Sequence, residues 1–333
     1  MEAALDLLAH LKGVTVLCAG DIMLDRYIYG QATRISPEAP VPVVRVKKRM
    51  VMPGGVGNVV KNLGALTCRP LTVSLTGADR NSGVLAELFA DEHLPAPNFI
   101  ADPGRPTSVK TRIIAGIQQV VRFDDEAEQP ANGEVAGRFI AAIRAALPEC
   151  GAVALSDYGK GALSDEVLKA AIEAARAAGR PVVVDPKGAD YGRYRGATLV
   201  TPNRAELAEA AGRKLETAQD MEKAGREVMD RCGLENLLIT RSEDGMMLLK
   251  GAEPDRPPVL LPSQARAVFD VSGAGDTVVA VMTAALAVGA PLAVGAQLAN
   301  LAAGVVVGKV GTATASPEEI IHWANIDDSR ALD

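Results

Sequence analysis

The chain has 333 residues, 48% of them hydrophobic but only 3% aromatic, and a formal net charge of −6. That length supports one large domain or two ordinary ones, and an Ala, Val, Leu and Gly interior is common where helices pack on a parallel sheet. The acidic balance excludes a nucleic-acid binder that relies on a broad basic surface, although local basic clusters could still hold a small phosphorylated ligand.

In chain order, MEAALDLLAHLKG is amphipathic and acidic at its start, unlike the basic-then-apolar layout of a signal peptide. VTVLCAG (14–20) then reads as a strand, and 54–66 as a helix. LTVSLTG (71–77) is the next strand, followed by helices over 82–92 and 132–147. AVALSD (152–157), PVVVDP (181–186) and NLLITR (236–241) read as strands, with helices over 164–179 and 217–232 between them. β-Branched runs alternating with Ala-rich helical stretches predict an α/β fold, a doubly wound, mostly parallel sheet flanked by helices. Two segments break the alternation, 26–52 and 105–124. Both look like strands with little helix around them, and they predict a small β-sheet lid over the strand ends that pairs with a second copy of the chain. AEPDRPP (252–258) reads as a surface turn. The apolar run 278–290 stops at Pro291 and is shorter than the roughly 20 residues a membrane span needs. Cys18, Cys68, Cys150 and Cys232 stand far apart, with neither zinc nor disulfide spacing, so reduced thiols in a cytoplasmic protein are expected.

In open α/β sheets, ligands sit outside the C-terminal strand ends. The most informative stretch there is DVSGAGDT (270–277), which opens a helix-length apolar run. Small residues at Gly273, Ala274 and Gly275 let backbone approach a ligand, and a helix N-terminus attracts anions. The loop carries a carboxylate, Asp276, where a Walker-type loop carries lysine. Phosphoryl transfer to an alcohol explains that combination: backbone N–H groups face the phosphate and Asp276 takes the hydroxyl proton. A helix-capping Asp preceded by flexible glycines reads equally well from the octapeptide alone. GDIMLD (20–25) and PGGVGN (53–58) add carboxylates, close-approach backbone and an amide suited to sugar hydroxyls. TPNRAE (201–206) places Asn203 and Glu206 three apart at a helix start, which also fits a capping box. A sugar already bearing a phosphate needs cations for its distal end. Arg105, Lys110, Arg112 and Arg122 lie in the second lid segment, with Lys110 and Arg112 on one face of a strand, and Lys160 and Lys187 follow strands. A dehydrogenase would want G-x-G-x-x-G after the first strand, where GDIMLD stands. A binding protein without catalysis would be expected to have lost the loop carboxylate or the NxxE pair, and both are present.

The ordered set of GD…D, GG…N, DPK, NxxE and GAGD resembles the ribokinase-like, or PfkB, family of carbohydrate kinases from about residue 12 to about residue 320. More narrowly, GDIMLDRYIYGQATRISPEAPVPVVRV, SDYGKGAL and VVVDPKG are similar to the heptose 7-phosphate kinases that supply ADP-heptose for lipopolysaccharide. Bifunctional members add a nucleotidyltransferase domain with an HxGH motif. This chain has only His10, His93 and His322, so it resembles the stand-alone kinase, a single kinase domain over 1–333. The resemblance implies Asp276 as catalytic base and Gly273, Ala274 and Gly275 as the anion hole. It implies Asp25, Gly54, Gly55 and Asn58 on sugar hydroxyls, with Lys110, Arg112, Gln118, Asp157 and Lys160 also on the substrate. Lys187, Asn203, Glu206, Thr240, Ser242, Gly245 and Asn300 would serve ATP, with Asn203 and Glu206 organising Mg²⁺ through water. Asp270 and Gly311 resemble the potassium loop of some relatives. The substrates would be a sugar phosphate and ATP, the assembly a homodimer, and the acceptor otherwise ribose, fructose or a nucleoside. The chain departs from the family with GGVGN and IQQ (117–119) where members often read GGAAN and NQQ.

Overall fold

A computed structural model describes residues 1–330. The organising element is β1 (Thr15–Ile35), whose first part sits in the middle of the main sheet and whose second part forms the lid. Residues 15–21 of β1 pair in parallel with β3 (Arg69–Gly77), and residues 16–20 pair in parallel with β7 (Ala152–Ser156). The main sheet continues from β7 through β8 (Val182–Asp185), β9 (Leu199–Val200) and β10 (Asn236–Thr240), with β4 (Asn98–Asp102) beyond β3 at the other edge. Two antiparallel strands, β11 (Met246–Lys250) and β12 (Val259–Leu261), finish the β10 side. The turn between them contains 252–258, as the sequence suggests.

Alternate residues of each central strand feed opposite cores, as the period of two demands. Val16 and Cys18 join one face, packed by α1 (Glu2–His10), α2 (Val56–Ala65), α3 (Arg80–Asp91), α8 (Ala274–Ala287), α9 (Leu292–Val307) and α10 (Pro317–Arg330). Leu17 and Ala19 join the other, packed by α4 (Gly133–Ala146), α5 (Asp165–Ala177), α6 (Arg204–Ala211) and α7 (Ala218–Cys232). Helix α8 is apolar around most of its circumference because it is buried around most of it. The four cysteines are free and buried, and among the described residues no helix is long and apolar enough to cross a membrane.

Each strand and helix expected from the βαβ alternation is present within two residues at its ends, apart from the lidward continuation of the first strand. The sequence divides that strand from the lid, but Gly20 and Asp21 at the junction stay in the ladder with β3 and β1 runs through. Past Asp21, β1 pairs with β2 (Pro42–Gly55), antiparallel, and with β5 (Val109–Ala115), parallel; β5 turns back into β6 (Gln118–Asp125). The lid therefore begins at about Ile22 rather than 26, and its second excursion is a hairpin starting at Val109. Strands β4, β9, β11 and β12 have no counterpart in the sequence reading. MMLLK in β11 is built from good helix formers and is a strand only because it pairs with β10.

Candidate active site

Helix α8 starts at Gly273, whose φ of 81° lies in the left-handed region that glycine enters without strain. A Cβ there would meet the Asn58 side-chain nitrogen at 2.5 Å, so glycine is also required for space. The amide of Ala274 turns back to the Val271 carbonyl at 3.3 Å. Among the described residues, the amides of Gly275 and Asp276 have no backbone acceptor, as expected in the first turn of a helix. A Cβ on Gly275 would find nothing within 4 Å, so the space over these donors is open.

Asp276 is buried at the bottom of that turn and is gripped from two sides. Asn58 Nδ2 of α2 donates to Oδ2 at 2.7 Å, and the Tyr158 hydroxyl donates to Oδ1 at 3.0 Å. At the next residue, Thr277 Oγ1 donates to Asn62 Oδ1 at 2.9 Å, which fixes α2 against α8. Burial pushes the Asp276 carboxyl up to about 6, opposed by the bonds from Asn58 and Tyr158 and aided by the charge of Asp25. Such a group is ionised at neutral pH and basic enough to accept a proton.

The loop after β7 is held mainly by Asp21, with Asp157 Oδ1 adding one bond from the Gly159 amide at 2.9 Å. The Asp21 carboxylate accepts from the amides of Tyr158 (2.8 Å), Lys160 (3.0 Å) and Ala162 (2.9 Å). Asp157 is engaged within the scaffold: Tyr194 Oη donates to it at 2.8 Å, and Arg193 lies 3.3 Å away. The aromatic hydroxyl beside it, Tyr158, is the group that reaches the Asp276 carboxylate. The sequence reading passed over Tyr158, although its place just after a strand end was the available signal.

On the lid side, Asp25 is buried and paired with Arg112 Nη1 at 2.5 Å, and Arg112 also lies over the Tyr27 ring at 5.1 Å. Gly54 packs so closely that any Cβ would overlap the Asp25 carboxylate, and Gly55 takes a left-handed φ of 60° as it caps α2. Asp25, Gly54, Gly55 and Asn58 therefore lie together beside Asp276. Lys110 and Lys160 meet through Glu126. Gln118 does not join them; it pairs with Ala115 and is exposed next to the fully exposed Ile117 at the tip of the lid.

On the opposite side, Asn203 and Glu206 form a capping box on α6, with Asn203 Oδ1 accepting the Glu206 amide and Glu206 Oε2 accepting the Asn203 amide. The capping role does not remove them from the site, because both line a 160 Å³ cavity with Asp157, Tyr158, Asp185, Lys187, Thr240, Gly273, Gly275 and Asp276. Burial raises the carboxyl of Glu206, and burial plus the charges of Asp276, Glu206 and Asp157 push Asp185 well above the ordinary range. The Asp185 carboxylate has no hydrogen-bond or ion-pair partner among the described residues, although its backbone carbonyl accepts the Asp157 amide at 3.1 Å. The same cavity edge opens into a larger one of 870 Å³, lined by Asn203, Thr240, Ser242, Gly245, Gly275 and Asn300 together with Val268, Val271, Val278 and Val307. Asn300 Nδ2 donates to the Pro262 carbonyl at 2.6 Å and so fixes one wall. A long cleft with an apolar end, a small acidic neck and a buried carboxylate beyond it suits a nucleotide whose terminal phosphate reaches Asp276.

The profile described as pfkB family carbohydrate kinase matches residues 15–319. The chain belongs to the pfkB family of carbohydrate kinases. As a family member it is an ATP-dependent carbohydrate kinase. It is 49% identical over 332 residues to the bifunctional protein HldE of Rhodospirillum rubrum, covering 99% of this chain and 66% of that protein. It is 46% identical over 328 residues to the bifunctional protein HldE of Paramagnetospirillum magneticum, covering 98% and 67%. The chain thus spans about two thirds of the length of these relatives. Its fold is similar to that of Arabidopsis thaliana ribokinase complexed with ribose and ATP, with a TM-score of 0.73, 19% identity, and 93% and 98% of the two chains covered. It is also similar to Escherichia coli phosphofructokinase-2 in complex with potassium, with a TM-score of 0.75, 21% identity, and 95% and 99% covered.

Proposed function

We propose that this kinase transfers the γ-phosphoryl group of ATP to the anomeric hydroxyl of D-glycero-D-manno-heptose 7-phosphate, giving the 1,7-bisphosphate used for ADP-heptose. The observation that carries the chemistry is Asp276, a buried carboxylate at a helix mouth between a nucleotide-sized cleft and a group of sugar-facing residues. Asp276 accepts the proton as the hydroxyl oxygen bonds to phosphorus. The amides of Gly275 and Asp276 lie where charge on the moving phosphoryl group needs donors, and the bond to the departing ADP breaks on the far side. Asp25, fixed by Arg112, and the backbone of Gly54 and Gly55 orient the ring hydroxyls. Lid closure excludes water that would otherwise consume ATP.

Asp185, Asn203 and Glu206, which line one cavity, would hold a hydrated Mg²⁺. An unpaired, half-buried carboxylate beside a second one favours a cation, and the three do not form an all-protein cage among the described residues. When bound, the ion supplies neutralisation of phosphate charge. Lys187, at the rim of the same cavity, is placed for a phosphate oxygen. Asp270 Oδ2 accepts the Gly311 amide at 3.1 Å, which brings together the two loops proposed for potassium. The whole chain acts as one kinase domain, since both cores share one sheet. The lid presents Ile35, Val41, Val121 and Phe123 to solvent, and β6 is an exposed edge strand, which favours a homodimer through the lid.

A coupled ADP-release assay over a panel of heptose 7-phosphate, fructose 6-phosphate, ribose, fructose and nucleosides tests the acceptor. The highest kcat/KM is expected with heptose 7-phosphate; preference for an unphosphorylated sugar would defeat the reading.

A further inference from the structure

Two of the lysines expected from the sequence to meet the distal phosphate of such a substrate share one carboxylate. Lys110 Nζ lies 2.8 Å from Glu126 Oε2, and Lys160 Nζ lies 2.6 Å from Glu126 Oε1. All three side chains are largely shielded from water. Lys110 also touches Asp124 at 3.0 Å, and Lys160 touches Glu128 at 2.8 Å.

The two cations stand on backbone held by ladder or loop-clamping hydrogen bonds, whereas the anion stands outside the strand ladders. Lys110 stands on β5, bonded in the ladder between β1 and β6 directly beside Asp25. Lys160 belongs to the loop that Asp21 clamps through its amides. Glu126 follows the end of β6 in a stretch without regular structure that runs to residue 132, so rotating it away breaks no strand pairing. Burial opposes ionisation of Glu126, but the two ammonium groups hold its carboxyl below the ordinary range. Its charge is therefore present throughout the neutral range, and a phosphate dianion cannot share the lysines with it without direct repulsion.

We propose that Glu126 is a carboxylate latch that occupies the distal-phosphate subsite between Lys110 and Lys160 and is displaced when a phosphorylated sugar binds. This rests on the reading of the acceptor as a sugar phosphate. The latch keeps the lid strand and the Lys160 loop joined in the empty enzyme, and it makes affinity for the phosphate the difference between two anions competing for one pair of cations. An unphosphorylated sugar leaves the latch shut.

The test compares wild-type enzyme, Glu126→Gln and Lys110→Met, each checked for a native melting transition, with Glu126→Ala as a second removal of the charge. The probes are KM for the sugar phosphate and inhibition by inorganic phosphate, accepted only where it competes with the sugar phosphate and not with ATP. In Glu126→Gln, KM for the sugar phosphate is expected to fall and competitive inhibition by phosphate to strengthen, each about five-fold, the scale of a partly exposed ion pair. Lys110→Met should move both in the opposite direction. If both Glu126 variants instead raise KM as Lys110→Met does, or leave both readouts unchanged, the latch is wrong and Glu126 only shapes the pocket. If a sugar phosphate other than heptose 7-phosphate is the acceptor and inhibition competitive with it still strengthens, the heptose reading fails while the latch stands; if only unphosphorylated sugars are accepted, both fail.

Discussion

Asp276 and Asp25 are both buried carboxylates of the same site, yet one is held by neutral donors and the other by a cation. Asp276 is held by an amide and a phenol, and burial lifts its carboxyl to about 6. Asp25 is locked to Arg112, which is itself braced over Tyr27. On the function proposed above, the difference separates two tasks. A proton acceptor must be ionised but not over-stabilised, so the floor of the site withholds positive charge from Asp276. A residue that only orients hydroxyls gains from a fixed counter-ion, and the lid supplies one.

The largest effect should come from removing the proton acceptor. Asp276→Asn is expected to lower kcat by about 10³-fold, within the range for a lost general base, while calorimetric ATP affinity stays near wild type. Near-normal turnover would erase the distinction between the two carboxylates. The same variant should be more stable than wild type at pH 7.5. The folded-state pKa of Asp276 lies above its unfolded value of 3.8, so the native state binds more protons between about pH 4 and pH 6. Stability from this group therefore falls as pH rises through that window, by up to about 3 kcal/mol for a difference of about two pH units. Denaturant titrations of the two proteins at pH 4 and pH 7.5 read it; a gap that does not widen with pH would contradict the assignment.

On the lid side, Arg112→Met leaves Asp25 buried without its counter-ion, and KM for the sugar should rise about 30-fold, equivalent to about 2 kcal/mol, with kcat changing less. Equal losses in kcat would place Asp25 in the chemical step. The smallest effect sharpens the contrast. Tyr158→Phe removes one of the two donors that hold the Asp276 carboxyl down, so the acid limb of the pH–rate profile should move upward from about 6. A downward move would mean that Tyr158 does not donate to Asp276.

The architecture was legible because buried parallel strands and amphipathic helices have strong periods, and because Gly273, Asp276, Asn203 and Glu206 sit at element ends. Local spacing could not reveal which partner each charge meets. Asp21 and Asp25 lie on the same strand four residues apart, but one braces a loop through three amides and the other meets Arg112. Asp157 and Tyr158 are neighbours, and the one with the acidic side chain is the one tied into the scaffold. Asp185, quoted only within the DPK motif, and Glu126 have no role legible in the sequence, because their importance depends on groups brought close by the fold. Gln118 was assigned by resemblance, and the structure leaves it exposed at the lid tip.

The most direct measurement is the pH dependence of kcat/KM for the sugar phosphate in the unmodified enzyme. With Asp276 as the base, the logarithm should climb with unit slope up to about 6 and then level. A profile that stays flat from pH 5 to pH 8 would contradict the account, because the proton would then have some other acceptor.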